Sequence, residues 1–151
     1  MSASGLVLIG AEGWDRPAWR GSFYPEGLPD DWMLSYYNTQ FQAVYLPAAA
    51  WRAVSPATWA GWLHDTRENF CFVLEPAGAA AAKPASPRAV LATPEWAAAH
   101  LWWLDEACDL RALAQRIAQQ AACGEQLFVI SRSGDLPIMR QADTLRQIMG
   151  Y

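Results

Sequence analysis

Five short stretches of this chain are apolar at almost every position rather than at every second one: residues 6–9 (LVLI), 43–46 (AVYL), 70–74 (FCFVL), 101–104 (LWWL) and 127–130 (LFVI). A strand that alternates needs one covered face. A strand that is apolar throughout must be covered on both, as in parallel sheets sandwiched by helices. The segments between the runs carry helical signals. Asp30 is placed to cap a helix with Met33, Leu34, Tyr37 and Phe41 at helical spacing, and Ser55 followed by Pro56 opens one that buries Trp59, Trp62 and Leu63. Thr93, Pro94 and Glu95 begin a short helix carrying Trp96; residues 100–105 (HLWWLD) either continue it or form a strand. A fresh cap at Asp109, ahead of Leu110, Leu113 and Ile117 and a stop at Gly124, favours the strand. After a loop over 131–135, a last helix presents Met139, Ala142, Leu145 and Ile148. Strands alternating with helices predict an α/β fold: one domain over 1–151 with a mainly parallel five-stranded sheet and right-handed crossovers. Residues 76–87 (PAGAAAAKPASP) supply almost no large apolar side chain, so 76–93 reads as a linker.

Composition excludes several classes. The 151 residues carry a net charge of −4, without a basic run for nucleic acid or an anionic membrane surface. Three cysteines, Cys71, Cys108 and Cys123, show no CxxC spacing, so they are read as reduced and buried, without zinc or disulfide. No run approaches the eighteen or so apolar residues of a membrane span, and no signal peptide is apparent. The expectation is a cytoplasmic protein with no metal and no cofactor.

The richest stretch for a site is residues 6–29, where an apolar strand stops at Gly10 and gives way to a loop with Trp14, Trp19, Phe23 and Tyr24. Binding residues concentrate on loops held by a rigid sheet. Glu12, Trp14, Asp15, Arg16, Trp19, Arg20 and Tyr24 are therefore ligand-binding candidates, weighed against solvated loop charges and packed aromatics. His64 and His100 lack a second ligand at metal spacing. Asp105 with Glu106 reads as a polar boundary more than an acid pair. Ser131, Ser133 and Gly134 precede the last helix, but without a glycine-rich phosphate pattern.

Gly10, Gly13, Trp14, Trp19, Gly21, Phe23, Tyr24, Pro25, Leu28 and Pro29, followed by Tyr37, Phe41 and Val44, resemble the start of the YecE-like family of TIM-barrel proteins of unknown function. The resemblance extends through 56–62 and 70–74, then resumes over 127–130, Asp135, Ala142 and Leu145. It implies a truncated barrel lacking strands four to six, with strand order 3-2-1-5-4 and the linker crossing between the edges. It also implies that polar positions at strand ends have changed, to Tyr45, Glu75, Ser131 and Arg132. Tyr45, Glu75 and Arg132 join the candidates, and no catalytic residue is assigned. Because TIM-barrel chemistry sits at those ends, the expectation is a non-enzymatic domain that self-associates or binds a partner. The alternative is a small-molecule or phosphorylated-ligand site there, either purely binding or hydrolytic. Five strands cannot close a barrel, and the apolar interior face left open predicts a homodimer.

Overall fold

The protein is described by a computed structural model covering residues 5–78, 83–106 and 109–151. Its strands are β1 (Val7–Glu12), β2 (Ala43–Leu46), β3 (Cys71–Leu74), β4 (Ala89–Leu91), β5 (Leu101–Trp103) and β6 (Leu127–Ser131). Its helices are α1 (Met33–Gln40), α2 (Ala48–Trp51), α3 (Pro56–His64), α4 (Pro94–His100), α5 (Leu110–Cys123) and α6 (Leu136–Met149). All strand pairs are parallel and the order is β4-β3-β2-β1-β6-β5, an α/β half-barrel. The five expected strands thus stand in the expected order. A sixth, β4, is added at the edge beside β3.

That sixth strand corrects the reading of 76–93 as linker. Only Ala89, Val90 and Leu91 pair with β3, too short a run to stand out from its alanine and proline surroundings. Arg88 anchors it: its guanidinium donates to the carbonyls of Phe70 (2.9 Å) and Leu63 (3.0 Å) and to the Thr66 hydroxyl. Part of the linker stretch, 79–82, lies outside the described residues.

β1 also runs further than its apolar stretch, through Gly10 to Glu12. The Tyr37 hydroxyl sits between β1 and β2, donating to Ala43 O (2.6 Å) and accepting from Ala11 N (2.8 Å). A Cβ on Gly10 would lie 1.9 Å from Ala43 O, so glycine here continues the strand instead of ending it. Asp30 does not cap α1. It opens a 3-10 turn, Asp30–Trp32, and its carboxylate takes a hydrogen bond from Arg20 (3.0 Å). The caps at Ser55 and Asp109 form as expected, Thr93 caps the short helix it was expected to begin, and Asp135 caps α6.

Both faces of the sheet are buried. Val7, Ile9, Val44, Phe72 and Val129 pack with Tyr37, Trp59, Leu113, Ile117 and Met139 beneath the helices. On the concave face Leu8, Ala43, Tyr45, Val73, Leu101, Phe128 and Ile130 form a second core with Trp96, Ala97 and Trp103. α4 accounts for this second core. It runs from the end of β4 to the start of β5, from one edge to the other, and its Trp96 ring lies 5.2 Å from Phe128. The crossing assigned to the linker is therefore made by α4, and the interior face expected to lie open is covered within one chain. The premise for a homodimer is corrected accordingly. Cys71 and Cys123 are free; against the expectation of burial Cys71 is only half-buried and Cys123 is exposed, and Cys108 lies outside the described residues. Among the described residues no helix is long and apolar enough to cross a membrane.

Candidate functional site

Side chains alternate along a strand, so the concave residues fix which positions face inward one step later. Beyond Leu8 the same parity reaches Glu12; Tyr45 lies beside it in register; beyond Val73 comes Glu75; beyond Leu101, Trp103; beyond Ile130, Arg132. These five residues form the last layer of the half-barrel, at the carboxyl ends of the strands.

Their contacts are specific. The Arg132 guanidinium lies 3.7 Å from the centre of the Trp103 ring and 5.9 Å from that of Tyr45. The two rings meet edge to face with centroids 4.9 Å apart. Cation–π attraction of this kind holds a guanidinium by its flat face and leaves its N–H edge available. Arg132 Nη1 is 3.9 Å from Glu12 Oε1, an ion pair too long for a hydrogen bond. Burial, reinforced by the charge of Glu75, pushes the Tyr45 phenol up to about 12. Glu75 accepts from the amide of Ala48 (3.0 Å), which starts α2.

Asp105, just past β5, reaches the loop after β6. Its carboxylate accepts from Ser131 Oγ (3.0 Å), Ser133 Oγ (2.8 Å), Ser133 N (3.2 Å) and Arg132 N. Desolvation pushes its carboxyl up, but these bonds together outweigh it and hold the group below the usual aspartate range. The loop that looked like a phosphate candidate is thus filled by the chain's own carboxylate.

The opening loop braces this end of the sheet. Arg16 donates to the carbonyls of Glu12 (2.6 Å), Arg132 (2.5 Å) and Ser133 (3.0 Å), tying the loop after β1 to the loop after β6. Its Nε is buried and has no partner among the described residues. Gly134 passes so close that a Cβ there would meet that Nε at 2.7 Å. Trp19, 3% exposed, donates its indole N–H to Gly134 O (3.1 Å), and the Tyr24 hydroxyl donates to Trp14 O. Trp14 meets Trp62 edge to face at 4.9 Å. Asp15, Arg20 and Asp30 form an exposed charge chain on the loop's outside.

The structure therefore brings Glu12, Tyr45, Glu75 and Arg132 together. It places Trp14, Arg16, Trp19 and Tyr24 in supporting roles, and sets Asp15 and Arg20 apart. Trp103 was missed as a site residue. The signal was available, since it stands two positions beyond inward-facing Leu101. His64 and His100 end α3 and α4 at the opposite rim, where His100 Nδ1 lies 2.8 Å from Gln126 O. That rim holds a cavity of about 490 Å³ lined by Leu8, Gln42, Cys71, Arg88 and Arg146, with both arginines already bonded to neighbours.

The model of the family described as "Protein of unknown function DUF72" matches residues 8–80. That span holds β1 to β3 and the opening loop. No curated protein and no solved structure matches the chain.

Proposed function

We propose, from the premise that residues 8–80 of this chain belong to the DUF72 family, that the protein is a non-enzymatic binding domain. Its recognition surface is the Arg132–Trp103 shelf at the carboxyl ends of the strands. One observation carries the reading: the polar groups of that layer are either consumed by the fold or suited to recognition. Asp105 and Glu75 are held in hydrogen bonds to backbone amides, with the serine hydroxyls added at Asp105. A phenol with a pKa of about 12 stays protonated at neutral pH and makes a poor base. What remains is Glu12 facing Arg132, a charge pair on an aromatic floor.

A phosphorylated ligand in the loop after β6 is the weaker reading, because Asp105 already takes the amides of Arg132 and Ser133. Self-association through the concave face loses its support now that α4 covers it. The test is a broad hydrolase and phosphatase panel run on the full chain. No turnover is expected. Turnover abolished by Glu12→Gln or Glu75→Gln would overturn the non-enzymatic reading.

A further inference from the structure

We infer that the Glu12–Arg132 pair recognises a small zwitterion, a molecule carrying a carboxylate beside an ammonium group as in a free α-amino acid. The inference rests on the binding-domain reading and names its ligand class. Arg132 makes no side-chain hydrogen bond among the described residues. Its guanidinium is fixed by the Trp103 face at 3.7 Å and its N–H edge is left unfilled. Among the described residues the Glu12 carboxylate likewise accepts no hydrogen bond, and the cation within ion-pair distance of it is Arg132 at 3.9 Å. The two side chains are 46% and 27% exposed, so a ligand can reach both.

A guanidinium pre-oriented by stacking is suited to a carboxylate, which it binds through two parallel N–H···O contacts. Glu12, alongside, supplies the acceptor that an ammonium requires. Inserting a zwitterion replaces one loose ion pair by charge-assisted hydrogen bonds at both ends. A dianion such as phosphate meets the opposite situation. Glu12, Glu75 and Asp105 outnumber Arg16 and Arg132 around the layer, and Arg16 has given its terminal N–H groups to backbone carbonyls. A lone carboxylate or a lone amine would satisfy one half of the pair and leave the other facing a like charge. The shelf is open to water, so affinity falls in the millimolar range.

The experiment is a titration of the isotope-labelled full chain with glycine, acetate, methylammonium and inorganic phosphate, read from the Arg132 Nε–H and Trp103 indole N–H signals by NMR. Glycine is expected to shift both signals saturably. Acetate, methylammonium and phosphate should each bind about tenfold more weakly or worse, as expected when one charge-assisted contact is missing. Glu12→Gln, nearly isosteric, should bring glycine down to the level of acetate. Equal binding of glycine and acetate, stronger binding of phosphate, or no saturable shift with glycine would each overturn the inference. Its failure stays distinct from that of the parent reading: turnover in the enzyme panel sinks the non-enzymatic assignment whatever glycine does, whereas unsaturable glycine without turnover sinks this inference alone.

Discussion

Tyr37 and Asp105 show how single polar atoms hold this fold together. The Tyr37 side chain is fully buried, and its hydroxyl serves one donor and one acceptor between β1 and β2. Tyr37→Phe leaves Ala11 N and Ala43 O without that partner, and a loss of about 1–3 kcal/mol is expected in chemical denaturation. An unchanged midpoint would mean that the strands close up and pair directly. Trp19→Ala should cost about 3–5 kcal/mol, because the ring is buried among Phe23, Tyr24 and Tyr37. For Asp105 the sign follows from its depressed pKa. The unfolded chain takes up a proton more readily, so the contribution of Asp105 is present above the ordinary aspartate value and is lost as pH falls through that value toward the lower folded one. Thermal unfolding followed from pH 7 to pH 2 should show a smaller acid-induced drop for Asp105→Asn than for the parent. Parallel curves would remove Asp105 from the acid response.

At the scale of elements, the sequence disclosed what is local. Ser55, Thr93 and Asp109 cap their helices by bonding an amide two or three residues ahead, and such contacts are written in adjacent letters. Asp30 obeyed the same pattern and misled, because Arg20 competes for its carboxylate from outside the helix. β4 was invisible for a different reason: three residues become a strand only when β3 is there to pair with. Glu12, Tyr45, Glu75 and Arg132 were legible as a set because strand ends in barrels form a ring. Trp103 and the stacking of Arg132 on it depend on β5 lying beside β6, a contact between residues far apart in the chain. α4 was recognised as a helix, but its position over the concave face was not, since its signal was a single tryptophan. Trp96→Ala should cost about 1–3 kcal/mol, less than for a fully buried ring, and should raise the binding of an apolar dye. An unaltered dye signal would mean that other side chains cover Phe128.

For the whole molecule, two covered faces change the expectation for assembly. Among the described residues the exposed large apolar side chains are Trp32 and Ile148, on separate elements. Scattered apolar groups of this kind are ordinary on a monomer's surface. Sedimentation at micromolar concentration is expected to give a species of 16.7 kDa. A species of twice that mass would require another interface, and the groove of Leu110, Leu145 and Ile148 between α5 and α6 is where Ile148→Glu should then dissolve it.

The way α4 joins β4 to β5 also makes it a measuring rod. A closed barrel sets its own curvature by completing a ring of hydrogen bonds between strands. Here the two outermost strands do not pair with each other, and the chain returns from the carboxyl end of β4 to the amino end of β5 through a helix of seven residues, about 10 Å long. Adding a single turn to α4, about 5 Å, would shift the start of β5, which follows it directly, against its pairing with β6. Where β5 begins against β6, and with it the place of Trp103 beneath Arg132, is therefore tied to the length of α4.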